Sequence, residues 1–148
     1  MTIREAVADD HDTLMDIWLR SVKATHRFLT EQDIHALLPE VRNALAKLEL
    51  WVLCSGEHAI GFLGLSGPKV EALFLAPESF RLGGGRMLLD HARHFKGALT
   101  VDVNEENVEA VRFYEACGFT VAGRSPLDSS GRPFPLLHMH EKTGLTNR

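Results

Sequence analysis

Apolar positions recur along this chain with two different spacings, and the switch between them marks out the elements. Leu14, Ile17, Trp18 and Val22 return every three or four residues, the period of a helix with one buried face. Asp9, Asp10 and Asp12 just ahead supply an N-cap and first-turn acids. Residues 3–6 form a short strand before them. A second helical run follows through Ile34, Leu37, Leu38, Val41, Leu45 and Leu48, with Pro39 predicting a break or kink near Leu38. The pattern then becomes that of strands over 50–54 and 59–65, joined by the turn Ser55-Gly56-Glu57, and over 70–75. Pro77 closes this group, because proline has no N–H to give to a ladder. Beyond the glycines at 83–85, Met87, Leu88, Ala92 and Phe95 repeat as a helix, and 99–103 reads as a strand. Val108, Val111 and Tyr114 mark a last helix with Gly118 at its C-terminal cap, followed by strands at 119–122 and 136–140. The order β-α-α-β-β-β-α-β-α-β-β predicts an α/β (α+β) domain with a mixed, mostly antiparallel sheet and helices on both faces.

Composition narrows the classes. A chain of 148 residues suits one domain, here over 1–142, with a polar tail at 143–148. A hydrophobic content of 45% excludes disorder as the main state. No stretch approaches the roughly 20 apolar residues that span a bilayer, and Met1 to Glu5 lacks the apolar run of a secretory signal. A net charge of -4 argues against broad binding to nucleic acid. Cys54 and Cys117 have no metal spacing, and free thiols in a reducing cytoplasm are expected. The pairs His91/His94 and His138/His140 lack a well-spaced third ligand, so no metal site is expected.

The most informative segment runs from Leu73 to Leu88: a buried strand, a turn containing Gly83, Gly84 and Gly85, and a helix start. Glycines let backbone approach a ligand closely, and a helix N-terminus offers unpaired N–H groups and a positive dipole end. That combination favours phosphate, with Arg81 and Arg86 adding charge. A tight turn without a ligand is the plainer alternative. No Gly-Lys-Ser or Gly-Lys-Thr occurs, which excludes a P-loop, and Leu88 stands where a dinucleotide fingerprint needs glycine.

This segment resembles the acetyl-CoA motif of the GNAT superfamily of N-acetyltransferases, [QR]-x-x-G-x-[GA], with Gly83 and Gly85 at the small positions and Phe80 in place of Gln or Arg. Asn107 to Phe119 resembles a second family pattern, N-x-x-A-x-x-[FLY]-Y-x-x-x-G-F. The element order is also similar to the family's. The stretches 21–29 and 131–138 resemble the YjaB-type group of bacterial acetyltransferases. The resemblance implies transfer of acetyl from acetyl-CoA to a primary amine by direct attack in a ternary complex. A non-catalytic acyl-CoA sensor on the same fold is the alternative.

On this resemblance, main-chain groups of Leu73, Phe74 and Leu75 pair with the pantetheine arm. Residues 81–87 (Arg81, Leu82, Gly83, Gly84, Gly85, Arg86, Met87) hold the pyrophosphate. Asn107 contacts the arm or caps its helix. Tyr114, the single tyrosine, is the general acid, since a phenol with pKa about 10 stays protonated beside a thiol of about 8.5. Glu71 is the candidate base, acting through water, or a solvated edge residue. The two N-terminal helices and last strands frame a small-molecule or peptide amine acceptor, placing Trp18, Ser21, Thr25, His26, Phe28, Asp128, Phe134 and His138 near it. For Trp18 a core position, and for His26 a turn position, are the plainer alternatives. The sequence leaves a homodimer open.

Overall fold

In a computed structural model describing residues 1–26 and 29–141, seven strands and four α-helices follow the predicted order. They are β1 (Thr2–Glu5), α1 (His11–Thr25), α2 (Glu31–Leu45), β2 (Glu49–Ser55), β3 (His58–Ser66) and β4 (Lys69–Leu75). After these come α3 (Gly84–Lys96), β5 (Thr100–Asn104), α4 (Val108–Ala116), β6 (Phe119–Ser125) and β7 (Leu136–Glu141). The strands form one mixed sheet in the order β1-β2-β3-β4-β5-β7-β6, with β4 and β5 parallel. The chain divides into two compact units, residues 1–66 with 71–91 and residues 67–70 with 92–148. Among the described residues no helix is long and apolar enough to cross a membrane, and both cysteines are free and buried.

In the first unit, α1 buries Leu14, Ile17, Trp18 and Val22 against Ile34 and Leu45 of α2 and against Leu50, Val52, Cys54, Phe62 and Ala72 of the strands. Each buried Val, Leu, Ile or Phe among them contributes about 1.5–3 kcal/mol when removed from water. Strand alternation turns the intervening residues to the other face. There Trp51 meets His91 with ring centroids 4.3 Å apart, and Leu53 approaches Gly84 at the start of α3. Helices therefore cover both faces of these strands.

Thr30 and Asp33 close a reciprocal capping box that starts α2. Of the break or kink expected near Leu38, the break does not occur, and α2 continues through Pro39 to Leu45. Pro39 and His35, whose carbonyl loses its N–H partner to the proline, are both exposed residues. Phe95 also departs from expectation. The buried stripe of α3 is Leu88, Leu89 and Ala92 and ends a turn early, leaving Phe95 60% exposed with its ring edge against His94.

In the second unit, Val101 and Val103 of β5, Met139 of β7 and Phe119 of β6 are buried. Buried Glu141 is satisfied from two sides: Arg93 Nε donates to one carboxylate oxygen, and the Leu99 N–H donates to the other at 2.8 Å. Arg93 also donates to the Cys117 carbonyl at 3.0 Å, tying α3, β7 and the end of α4 together. Gly118 closes α4 with φ of 99°, a conformation that favours glycine.

Candidate active site

The turn between β4 and α3 is built by backbone conformation. Arg81 has φ of 67° and Gly83 φ of 84°, so two left-handed residues fold the chain back before the helix begins at Gly84. A non-glycine residue in that region is held there at a cost of order 1 kcal/mol or more. Gly84 matters for a different reason, close packing. A Cβ there would stand 2.6 Å from Leu53 Cδ2, so the helix start lies directly against β2. The first helical hydrogen bond runs from the Met87 N–H to the Gly83 carbonyl at 3.0 Å, leaving the amides of Gly84, Gly85 and Arg86 outside the α-helical ladder. Arg81, Leu82, Gly83 and Arg86 are exposed, Gly84 and Gly85 are buried, and Met87 is half-buried. This surface of main-chain donors, a helix dipole and two guanidinium groups suits a diphosphate.

The strand leading into the turn has an edge to offer. The parallel ladder between β4 and β5 contains the register pairs Lys69–Thr100 and Val70–Val101 and none beyond them. Residues 71–75 thus lie outside that ladder. Leu73, Phe74 and Leu75 are half-buried, and Gly61 permits the close approach of Leu75. Glu71 is exposed between buried Val70 and Ala72.

Asn107 caps α4, its side-chain oxygen accepting from the Ala110 N–H at 3.2 Å, which is the capping role weighed for it. Tyr114 is 7% exposed, with its ring edge-on to Phe113 and Phe119. Burial, helped by nearby Cys117, pushes its phenol pKa up, so it is protonated at neutral pH. The phenol makes no hydrogen bond among the described residues, and its oxygen is not among the fully enclosed polar atoms.

The residues expected around an acceptor divide. Trp18 is a core residue, 5% exposed, and Ser21 is buried with it. Phe28 lies outside the described residues. Thr25 donates its hydroxyl proton to the Ser21 carbonyl at 2.8 Å. Having spent that proton, its oxygen accepts from Nδ1 of His26, also at 2.8 Å, which leaves Nε2 as the deprotonated nitrogen. Burial holds the His26 imidazole down to about 4, so it is neutral at pH 7. Asp128 folds its own loop, accepting from the Ser130 and Arg132 N–H groups at 2.9 and 2.8 Å. Phe134, half-buried, follows in that loop.

His138 belongs to an arrangement that sequence reasoning did not find. Asp102 of β5 stands opposite His138 of β7, on the face away from Val101, Val103 and Met139. Asp102 Oδ1 lies 2.6 Å from His138 Nδ1, and Ser125 Oγ lies 2.6 Å from His138 Nε2. Lys69 Nζ holds the second oxygen of Asp102 at 3.0 Å. Partial burial opposes ionisation of Asp102. The hydrogen bonds from His138 and Lys69 outweigh it, and the net shift is downward. Among the described residues no three His, Cys, Asp or Glu side chains gather as a metal site.

The chain is similar to known acetyltransferases in sequence and in fold. Residues 46–121 match the family model described as an acetyltransferase (GNAT) domain. The chain is 41% identical to the peptidyl-lysine N-acetyltransferase YjaB of Escherichia coli K12, over 94% of this chain and 95% of that protein. The solution structure of apo YjaB from E. coli superposes with a TM-score of 0.88 at 40% identity, covering 97% of this chain and 98% of that one. The PaiA N-acetyltransferase of Thermoplasma acidophilum, solved in complex with coenzyme A, shares the fold with a TM-score of 0.76 at 23% identity over 95% and 98% of the two chains. The chain thus belongs to the GNAT family of N-acetyltransferases.

Proposed function

We propose that this acetyltransferase moves the acetyl group of acetyl-CoA to a lysine side-chain amine of a peptide or protein, by direct attack with both substrates bound. The observation that carries the donor is the turn before α3, where left-handed Arg81 and Gly83 present unpaired helix-start amides between two exposed arginines. The lysine acceptor is inferred from the 41% identical YjaB, a peptidyl-lysine N-acetyltransferase.

The diphosphate is held by the amides of 82–86 with Arg81 and Arg86, and exposed Leu82 gives apolar cover beside it. The backbone of Leu73, Phe74 and Leu75, outside the ladder with β5, pairs with the amides of the pantetheine arm as an added strand would. A main-chain N–H near Phe74 polarises the thioester carbonyl. Tyr114 donates a hydrogen bond to the departing sulfur. Its raised pKa makes it a donor that does not ionise itself, and full proton transfer to a thiolate of lower pKa runs uphill. Glu71, exposed on β4, takes the amine proton through water. Thr25 and His26 border the acceptor, and an imidazole that stays neutral does not repel an arriving ammonium group. Orientation of the two substrates supplies ~7–11 kcal/mol of barrier reduction in such reactions.

The test is thiol release from acetyl-CoA with lysine-containing peptides, read together with the mass of the peptide. One acetyl added per thiol released is the expected result. Stabilisation by acetyl-CoA with no thiol release on any amine would support the sensor instead.

A further inference from the structure

Ser125, His138 and Asp102 meet in the second unit with the connectivity of a nucleophile, its base and the group that orients the base. The roles follow from proton bookkeeping. An ionised carboxylate only accepts, so Nδ1 of His138 carries the ring proton and donates it to Asp102. In the neutral imidazole Nε2 then has the lone pair, and Ser125 Oγ–H is the donor across 2.6 Å. Lys69 on the far oxygen of Asp102 fixes the carboxylate's orientation. Gly123 faces the imidazole, and a Cβ there would be in ordinary van der Waals contact with it, 3.7 Å from His138 Cδ2. Ser125 is the last residue of β6, just before Pro126, and both it and His138 are partly exposed. A small acyl compound therefore has access. No part of amine acetylation, as described above, uses this array.

We propose that Ser125 is an acyl-accepting nucleophile, activated by His138 and oriented through Asp102, that reacts with activated acyl esters or thioesters. Ser125 Oγ forms a bond to the acyl carbon while its proton passes to His138 Nε2. The bond from acyl carbon to the leaving oxygen or sulfur breaks, and the leaving group takes that proton. Water, deprotonated by the same imidazole, then hydrolyses the serine ester to a carboxylic acid and restores the hydroxyl.

p-Nitrophenyl acetate is the probe, since it reports acylation without an amine acceptor. The whole chain should release p-nitrophenolate, and the peptide containing Ser125 should carry an acetyl group when the reaction is quenched in acid. Ser125→Ala should reduce release to the level of the buffer, and His138→Gln should reduce it about 100-fold or more. Ser125→Cys, which keeps a nucleophile in place, should retain the acyl adduct and shows that the site still folds. A fluorophosphonate should label Ser125 in the unmodified protein, without recourse to any variant. Equal release by the unmodified protein and Ser125→Ala, or absence of both acetyl and phosphonate on Ser125, would overturn the assignment.

Discussion

The turn at 81–86 and the array at Asp102, His138 and Ser125 are both polar sites on one sheet, yet they are specified in opposite ways. The turn is contiguous in sequence and works through backbone: two positive φ angles and a glycine against Leu53. The array is assembled from β5, β6 and β7 and works through side chains. Substitution in the turn should act by reshaping main chain, and substitution near the array by shifting strand register. A backbone site tolerates the Phe80 departure from the family motif, because main-chain amides are supplied by any residue. A side-chain site tolerates only exchanges that keep each member's chemistry, such as Ser125→Cys.

The largest expected effect lies in the second unit. Glu141→Ala removes the carboxylate that accepts from Arg93 Nε and from the Leu99 N–H and loosens the end of β7, and should cost about 3–5 kcal/mol in urea unfolding. A loss below about 1 kcal/mol would show that β7 register is held by other contacts. Tyr114→Phe should lower turnover on a lysine peptide about 100-fold while acetyl-CoA affinity changes less than about twofold. An unchanged rate would remove the phenol from the chemistry. His26 gives the first unit a dependence on acid. Its folded pKa of about 4 lies below the usual 6.5, so its neutral form is favoured by folding. That contribution is fully present above pH 6.5 and is lost as pH falls toward 4, by at most about 3 kcal/mol. His26→Gln should flatten the fall in melting temperature between pH 7 and pH 5, and an identical fall in both proteins would contradict this. Gly84→Ala should cost about 1–3 kcal/mol, because the added methyl meets Leu53 Cδ2.

Legibility in the sequence followed the same division. The glycine turn, the α4 cap at Asn107 and the Gly118 stop were readable, because local backbone demands specific residue types at fixed offsets. Pro39 marked a disturbance of α2 without telling a break from a kink, because whether a helix continues past a proline depends on how its two halves pack, a tertiary property. Phe95 misled because periodicity gives the buried face and not how far along the helix the core extends. Asp102 between two valines was a signal of an open sheet face. Its pairing with His138 depends on register between strands 36 residues apart. Ser125 depends on a one-residue shift between Val121 and Gly123, which brings Ser125 rather than Arg124 to the His138 side. Neither is encoded locally.

The most direct test of the donor site is thermal unfolding of the unmodified chain and of Gly83→Glu, each with and without acetyl-CoA. The account predicts stabilisation of the unmodified chain, about 2.7 kcal/mol at ligand a hundredfold above Kd, and none in Gly83→Glu. The added carboxylate would occupy the place of the diphosphate. Equal stabilisation of both proteins would place coenzyme A elsewhere and contradict the account.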